Sequence, residues 1–419
     1  MMPSTPISRR TVLTVLGSAG VAGLVGCDVT RTPRSATAAT LPDALLVEVA
    51  GGLEMLRGSD RRPVPRAVAT DDGRVAYASE PAGADTAFWR VDTATGRAGD
   101  RRTLPGRWVP RAISATGALV ALTPEGVPAA TGRPVARTET PVLITDGESV
   151  RHRLKLRGNF VPETFTNDLS GLFVLEWLPA DAPDRYRVRV VDLATGTPGP
   201  LSTRAKVPVP PGAEEEMRGD GRQAVLAPTH TVLYTLYTHQ PDHQHTRDLV
   251  SGRPASDVHA FVHTLHLAES WAYCVDLPHP FGTGPADGHA MAMFTGGERL
   301  VVADVTSGTL ADISTQNLTV DRTATMSPLP GAAHAAADQN RLFVAAGTTV
   351  SVVDPAHLGV AATWSVREAV TGLVSSPDGE RLYVGQSDVV SWHDPDDGRE
   401  IGRIAAPGLV RLRGLAGRG

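Results

Sequence analysis

The histidines are the most unevenly distributed chemically active residues in this sequence. Nine of the thirteen lie between positions 230 and 289. His239, His243 and His245 fall in a polar, proline-containing stretch, residues 238–256, that separates two strand-like segments. Neutral imidazole is the commonest protein ligand of divalent transition metals. A metal site is therefore the first chemical hypothesis for this region.

Two further histidines follow directly after this insertion. On a strand, His259 and His263 point to the same face but stand about 13 Å apart, which is too far to share one ion directly. A site would need additional ligands from the insertion or from neighbouring strands. The alternative is that the loop histidines are solvated and the strand histidines are partly buried and bonded to the backbone. The candidate cofactor is a divalent transition metal, and its candidate ligands are His239, His243, His245, His259 and His263.

Other catalytic chemistry has little support in the sequence. The nucleophile pattern Gly-x-Ser-x-Gly, the Walker phosphate loop and the dinucleotide fingerprint do not occur. Cys274 lies in a strand-like run, where a buried apolar thiol is the expected interpretation. The acidic triplet 214–216 follows a proline-rich stretch and is expected to be a solvated loop. Residues 394–398 superficially resemble a calcium loop but lack its spacing and its later glutamate.

The elements that must position these residues are short strands. From Leu373 to Ile404 the sequence contains four apolar runs separated by tight turns. In Pro377-Asp378-Gly379, proline presets φ, aspartate bonds back to the backbone and glycine accepts a positive φ. The alternation that follows the turn is typical of a half-buried strand. This segment therefore predicts one four-stranded antiparallel unit.

Similar units recur along the chain, and seven complete copies can be recognised. Two pieces are left over: a hairpin at Leu45–Leu56 that lacks a first strand, and a strand at Leu409–Leu415 that lacks a hairpin. Pairing them completes a split unit and removes the free edges of an open array. The sequence thus predicts an all-β fold, a single β-propeller of four-stranded antiparallel blades, with eight blades by count and seven as the alternative.

Two motifs carry a resemblance to known proteins. Ser376-Pro-Asp-Gly-x-x-Leu-Tyr-Val384 and Val350-Ser-Val-Val-Asp354 resemble the YVTN/NHL-type and WD40-like bacterial β-propellers. The resemblance covers most of the chain but is sharp only from about Gly296 to Ile404. It implies a propeller that usually has seven blades. It implies no particular activity, because the motifs specify turns and core strands.

The N-terminal residues are interpreted as an export segment. Arg9 and Arg10 precede a modestly apolar run that is too short to span a membrane comfortably and ends in Leu24-Val-Gly-Cys27. This order resembles a Tat-like signal followed by the lipobox of bacterial lipoproteins, which implies cleavage after Gly26 and acylation of Cys27. Export through the Tat or the Sec route stays open, and the alternative is a buried apolar helix.

The predicted domain organisation follows from these segments. Residues 1–26 form the signal peptide, 27–43 a flexible tether, and 44–419 the propeller with its insertion at 238–256. Anchored by lipid to the cell membrane, the propeller would be extracytoplasmic.

Two classes of function remain. The formal net charge of −5 is small for 419 residues and no basic face is evident, so nucleic acid is not an expected partner. The first class is an exported, lipid-anchored binding or scaffold module that recognises a protein, glycan or small ligand at the cell envelope. The second is a propeller enzyme, either a hydrolase or a metal-dependent oxidoreductase, with a histidine-rich site in the middle blade. The missing nucleophile and cofactor motifs favour binding.

Overall fold

The computed structural model describes residues 40–126, 133–210, 212–218, 221–255 and 257–417. Arg9, Arg10 and Cys27, and with them the predicted signal peptide and lipobox, lie outside these residues. Within the described part of the chain, no helix has the length and apolar character needed to cross a membrane.

Short strands joined by tight turns make up nearly all of the described chain. They form eight four-stranded antiparallel blades arranged in a ring, so the predicted β-propeller is confirmed with eight blades. We number the blades around the ring from the one that closes it, and the strands β1 to β34 in chain order. Within each blade, the strands are named in order from the innermost to the outermost.

Blades 1 to 4 contain the N-terminal half of the chain and its C-terminal strand. Blade 1 consists of Leu409–Leu415 (β34), Leu41–Val49 (β1), Gly52–Gly58 (β2) and Asp60–Pro65 (β3). Blade 2 consists of Val68–Ala69 (β4), Val75–Ala82 (β5), Asp85–Asp92 (β6) and an outer strand in two parts, Arg97–Ala98 (β7) and Arg102–Leu104 (β8). Blade 3 consists of Trp108–Ile113 (β9), Val120–Pro124 (β10), Glu139–Thr145 (β11) and Val150–Arg157 (β12). Blade 4 consists of Asn159–Phe165 (β13), Gly171–Leu178 (β14), Arg185–Asp192 (β15) and Pro198–Gly199 (β16).

Blades 5 to 8 follow in chain order. Blade 5 consists of Gly221–Leu226 (β18), Val232–Thr238 (β19), Phe261–His266 (β20) and Trp271–Asp276 (β21), with Ser202–Thr203 (β17) added in parallel outside β21. Blade 6 consists of His289–Met293 (β22), Arg299–Asp304 (β23), Thr309–Ser314 (β24) and Thr319–Thr325 (β25). Blade 7 consists of Ala333–Ala337 (β26), Leu342–Ala346 (β27), Thr349–Asp354 (β28) and Gly359–Ser365 (β29). Blade 8 consists of Gly372–Ser375 (β30), Leu382–Gln386 (β31), Val389–His393 (β32) and Glu400–Ala405 (β33). A helix, Thr246–Ser251 (α1), and a 3-10 turn, Ala286–Gly288, complete the described elements.

The closing blade is built from both ends of the chain, as predicted. β34 pairs with β1 in antiparallel register, with Leu45 opposite Leu415 and Val47 opposite Leu412. β1 begins at Leu41, so the last three residues of the predicted tether 27–43 already belong to the sheet. The pairing leaves no free edge at the point where the chain begins and ends its ring, which is the physical reason for the split blade.

The hydrophobic core lies between neighbouring blades. In blade 7 the second strand, Leu342–Ala346, is buried on both faces, and its sequence is a continuous apolar run. In blade 6 the outermost strand alternates between exposed and half-buried residues because one of its faces meets solvent. Tyr234 and Val262 of blade 5, for example, share one buried cluster with Leu300 and Val302 of blade 6.

The aspartate-containing turns that identified the repeat form the expected short-range hydrogen bonds. The Ser376 hydroxyl donates to Asp378 Oδ1 over 2.5 Å and accepts from the backbone N–H of Arg381 over 2.9 Å. Gly379 occupies the left-handed position of the turn, with φ of 72°. The same short-range bonds recur in blades 2 and 4, so the turn chemistry is repeated along with the strands.

Candidate metal centre

The insertion of blade 5 folds back onto the outer strand of its own blade. It leaves β19 after Thr238 and returns to β20 at Phe261, and α1 lies between them. Arg247 of α1 donates to the Cys274 carbonyl over 2.6 Å and to Asp276 Oδ2 over 2.5 Å. These two bonds fix the insertion against β21, so its side chains reach the interior of the blade.

Three of the predicted histidine ligands meet beneath the insertion. The rings of His243 and His245 lie 4.6 Å apart, edge to face, and both contact Phe261, with centroids at 4.5 and 5.0 Å. His263 projects from β20 and is buried, as are the other two histidines. Its ring meets that of Tyr237 at 6.1 Å. The insertion and β20 therefore bring together imidazoles that are separated in sequence.

A further segment of the chain adds a carboxylate to these three imidazoles. We call residues 212–218 the acidic strap, because they cross from blade 4 to blade 5 and carry three consecutive glutamates. An extended chain alternates its side chains, so Glu214 and Glu216 point to one side and Glu215 to the other. Glu214 forms ion pairs with Arg187 and Arg189, at 3.1 and 2.7 Å. Glu215 instead points among the histidines of blade 5.

The expectation that these glutamates form a solvated loop is therefore wrong. Three arginines on one face of β15 hold the strap, since Arg185 also pairs with Glu216 at 2.6 Å. Backbone bonds between Met217 and Tyr186, 2.8 and 3.0 Å long, continue the attachment. The arginine row positions Glu215 from the opposite side of the strap, and no local sequence pattern shows this.

Glu215 is the centre of the cluster. The Cys274 thiol donates to its Oε1 over 3.1 Å, and His263 Nε2 lies 3.6 Å from the same oxygen. On the other oxygen, Oε2, the backbone N–H of Thr246 donates over 2.9 Å, and His245 Nδ1 lies 3.6 Å away. One carboxylate thus faces a thiol and an imidazole on one side and a further imidazole on the other.

These distances suit ligands of a single ion. Around a tetrahedral zinc ion, nitrogen, oxygen and sulfur ligand atoms lie about 3.3–3.6 Å from one another, given metal–ligand bonds of about 2.0–2.3 Å. Two sets of three among the described residues have ligand atoms that all lie within 4.8 Å of one another. The sets are Glu215 with His263 and Cys274, and Glu215 with His243 and His245.

Several buried nitrogens and oxygens in the cluster have no hydrogen-bond partner among the described residues. They are His243 Nε2, both ring nitrogens of His245, and Asp276 Oδ1. His245 Nε2 and Asp276 Oδ1 lie 2.6 Å apart, in a charge contact that is not aligned as a hydrogen bond. Buried polar atoms are normally bonded, so these ligand atoms are free to bind an additional group.

The charges of the cluster are tightly coupled. Burial opposes ionisation of Glu215, but the close contact with His245 and the charges of His263 and His245 outweigh it and hold its pKa well below the usual range. Burial lowers the pKa of His243 to about 4, so this imidazole is neutral at pH 7. Burial also opposes protonation of His245, yet Asp276 and Glu215 raise its pKa to about 9. Burial, followed by the charge of Glu215, raises the pKa of the Cys274 thiol well above its usual value.

These shifts describe the cluster without an ion. A His245 imidazolium balances Glu215 and Asp276, and the Cys274 proton occupies the space between sulfur and carboxylate. A divalent cation could take the place of the thiol proton and of the imidazolium charge, because it would stabilise the thiolate and the carboxylate together.

A small cavity lies beside the cluster. Its volume is about 70 Å³, and its walls include Glu215, His263 and Cys274 together with Arg204 and Arg247. This space accommodates an ion with one or two waters, or a very small ligand, but not a molecule of drug size.

The comparisons with known proteins bear on the fold. No family model and no curated protein matches the sequence. Among solved structures, dihydro-heme d1 dehydrogenase NirN in complex with DHE is similar with a TM-score of 0.53 at 12% identity, covering 93% of this chain and 78% of that chain. Apo AztD from Citrobacter koseri is similar with a TM-score of 0.51 at 10% identity, covering 87% of this chain and 95% of that chain. Saccharomyces cerevisiae Sqt1 is similar with a TM-score of 0.50 at 9% identity, covering 90% of this chain and 89% of that chain. The shared feature is the fold.

Two predicted ligands lie away from the cluster. The Nδ1 atom of His239 lies 3.0 Å from the Thr238 hydroxyl, and its ring is 6.4 Å from that of His289. His259 is partly exposed and pairs with Asp257 at 3.2 Å. Because β20 begins only at Phe261, the expected strand face shared by His259 and His263 does not form. The structure thus groups His243, His245 and His263 and leaves the other two outside.

Glu215 and Cys274 are the members of the cluster that the sequence did not suggest as ligands. One signal could have found Cys274: β20 and β21 form a hairpin in which Cys274 lies directly opposite His263. Cross-strand neighbours on one face are close enough to share an ion, so aligning the hairpin would have paired them. Glu215 has no comparable signal, because its orientation depends on arginines of another blade.

Proposed function

We propose that this protein is an exported, lipid-anchored β-propeller that acts as a metal-binding module at the cell envelope, with a divalent transition metal of the zinc class held in blade 5. Glu215, His263 and Cys274 are the proposed ligands, because their ligand atoms all lie within 4.8 Å of one another. His243 belongs to the second set around Glu215 and is the proposed fourth ligand, since its Nε2 is buried and lacks a partner among the described residues. The observation that carries the proposal is the largely buried Glu215 carboxylate, one oxygen of which faces the Cys274 thiol and His263 and the other His245. Thiolate and imidazole favour zinc and related metals over calcium or magnesium, which prefer oxygen ligands.

Metal content and affinity test this assignment. The purified protein is expected to bind one zinc ion per chain in competition with a chromophoric chelator. Cys274→Ser, His263→Gln and Glu215→Gln should each weaken binding at least about 100-fold, in keeping with the loss of a ligand or its close support. His239→Gln and His259→Gln are matched controls, because they remove histidines of the same blade that lie outside the cluster. Equal zinc affinity in the ligand and control variants would contradict the site.

Cobalt provides a direct test of the thiolate. Co²⁺ in place of zinc should show a near-ultraviolet charge-transfer band from a cobalt–sulfur bond, and Cys274→Ser should remove it. The chain contains one other cysteine, Cys27, so Cys27→Ala is the control and should retain the band. A band that survives loss of Cys274 would place the metal elsewhere.

The export part of the proposal is supported by Arg9, Arg10 and the Leu24-Val-Gly-Cys27 pattern. Lipoprotein processing attaches more than one acyl chain, which is what stable anchoring requires. In bacterial cells, Cys27→Ala should release the protein from the membrane fraction or leave an unprocessed precursor. Membrane retention with a correctly processed mass in this variant would show that Cys27 is not the anchor.

The cavity beside the cluster supports a second candidate function, a metal-dependent hydrolase or oxidoreductase. Arg204 and Arg247 line it together with the proposed ligands, so a small anionic group could lie next to the ion. Zinc-dependent turnover of a small activated ester, lost in Cys274→Ser and retained in His239→Gln, would favour the hydrolase. A zinc-loaded protein without such turnover would favour binding.

A further inference from the structure

A second cavity, unrelated to the cluster in blade 5, runs along the axis of the ring. Its volume is about 630 Å³, and residues from the innermost strands of all eight blades line it. Pockets that bind small organic molecules have volumes of about 300–1,000 Å³. The channel therefore has room for a metabolite-sized ligand and its water.

Positively charged side chains lie on two of these innermost strands. Arg411 belongs to β34 of blade 1 and Arg111 to β9 of blade 3, and both line the channel. Arg111 is exposed and Arg411 is half-buried. The two guanidinium groups are thus presented to the same cavity from strands two blades apart.

Neither arginine forms a direct ion pair with a carboxylate among the described residues, although the charge of Glu48 acts on Arg411 from a longer distance. Arg111 Nε donates to the hydroxyl of Thr123 over 3.2 Å, which satisfies one donor but no charge. Arg411 makes no hydrogen bond or ion pair within the described part of the chain. The neighbouring Arg413, by contrast, is paired with Glu48.

The electrostatic environment agrees with this geometry. Burial lowers the pKa of Arg111 and of Arg411, and a second arginine near each, Arg137 and Arg413 respectively, lowers it further. The charge of Glu48 opposes this shift at Arg411 but does not cancel it. Burial, followed by the charge of Arg411, lowers the pKa of His334 to about 4. Cations held in these surroundings without a counterion are costly, so an anion entering the channel would be stabilised.

The acidic groups of the channel do not supply that counterion. Glu163 lines the same cavity but is already engaged in an interaction of its own. Asp71 also lines the cavity and burial raises its pKa, but it forms no ion pair with Arg111 or Arg411 among the described residues. Gln223 accepts a bond from the backbone N–H of Met291 at 2.6 Å, which leaves its amide nitrogen as a further donor towards a ligand.

We propose that the axial channel is a binding site for a small anion bearing a carboxylate or phosphate group, with Arg111 and Arg411 as the residues that recognise it. The planar guanidinium fork donates two parallel hydrogen bonds to either group. The site is independent of the metal centre, so each can fail without the other.

Thermal unfolding with defined anions tests the site. Citrate and inorganic phosphate serve as probes at constant ionic strength, with sodium chloride as the balancing salt and neutral glycerol as a control. At least one probe should raise the melting temperature saturably, and a preference for citrate or for phosphate identifies which group is recognised. Saturation by neither probe at millimolar concentration would overturn the proposal.

Substitutions locate the effect. Arg411→Gln and Arg111→Gln should each weaken binding of the effective probe at least about 10-fold, whereas Arg399→Gln, which removes an exposed arginine outside the channel lining, should not. In buffer without the probe, Arg411→Gln should raise the melting temperature, because burial and the charge of Arg413 together outweigh the attraction of Glu48. Undiminished affinity in both channel variants would contradict the proposal, and so would a lower melting temperature of the probe-free Arg411→Gln protein.

Discussion

Blade 8 and blade 5 share one four-stranded plan but treat their buried polar groups differently. In blade 8, the ring of His393 lies 2.9 Å from the Ser391 hydroxyl and 3.0 Å from the Gly398 carbonyl, so both of its nitrogens have partners from the same blade. In blade 5, His243 Nε2 and both nitrogens of His245 are buried without hydrogen bonds among the described residues. The histidine of blade 8 is therefore satisfied by its own blade, whereas those of blade 5 keep nitrogens that the proposed metal could use.

The two blades also differ in where their residues originate. The strands and turns of blade 8 come from one continuous segment, residues 372–405. The cluster in blade 5 combines the acidic strap, the insertion, β20 and β21, and it depends on the arginine row of blade 4. The comparison therefore separates a region that folds by repetition from a region assembled by long-range contacts.

The largest effect is expected from breaking the ring itself. Deleting residues 409–419 removes β34 and the buried side chains of Leu409, Leu412 and Leu415. Losing even one such side chain costs about 2–5 kcal/mol, so the free energy of unfolding should fall by more than about 5 kcal/mol. Urea unfolding followed by circular dichroism measures the change. Deleting only residues 418 and 419 is the control, and an unaltered midpoint after the longer deletion would show that β34 does not close the ring.

Zinc should stabilise blade 5 in a pH-dependent manner. At neutral pH, zinc at about 1,000 times its dissociation constant should add about 4 kcal/mol to the free energy of unfolding. Near pH 5 the gain should be absent, because imidazoles and thiols must lose protons to bind metal. Thermal unfolding at both pH values checks this. The triple substitution of His239, His243 and His263 by Ala should abolish the gain, and His239→Ala alone should retain it.

Replacing one histidine in each blade sharpens the comparison further. In the metal-free protein, His393→Leu should cost about 2 kcal/mol, because the Ser391 hydroxyl and the Gly398 carbonyl lose their partner. His243→Leu should cost less, about 1 kcal/mol, since its Nε2 has no bond to lose, only the bond to the Glu216 backbone is given up, and an apolar group can pack on Phe261. Urea unfolding of both variants measures the difference. With zinc present the order should reverse, and equal costs in both conditions would contradict the contrast between the blades.

The smallest expected effect concerns His334 in blade 7, a regular blade. Its folded-state pKa of about 4 lies below the ordinary value of 6.5, so the unfolded chain binds more protons between these pH values. Above about pH 6.5, His334 is neutral in both states and costs no stability. As the pH falls from 6.5 towards 4, proton binding favours the unfolded chain, so the free energy of unfolding decreases. Accessibility to channel water limits the loss to about 1–2 kcal/mol. His334→Gln should flatten the pH dependence of urea unfolding between pH 4 and 6.5, and an unchanged slope would contradict the assignment.

Much of the fold could be read from local patterns. The Pro377-Asp378-Gly379 turn and the alternation after it identify the strands of blade 8, because turn bonds and side-chain periodicity act over a few residues. The leftover pieces at Leu45–Leu56 and Leu409–Leu415 predicted the closing blade, because a lone hairpin and a lone strand both leave unpaired edges. Eight blades followed from counting units, and the structure confirms that count.

What the sequence by itself determined, then, is the architecture and the concentration of histidines in blade 5. Tertiary structure alone decided which histidines converge, since His243, His245 and His263 meet only where the insertion lies on β20 and β21. Tertiary structure also directed Glu215 into the cluster, because the neighbouring Glu214 and Glu216 form ion pairs with arginines of blade 4. It also gathered Arg111 and Arg411 around one channel. Strand patterns arise from short-range bonds and burial, whereas these sites depend on how distant segments pack, which no local pattern records.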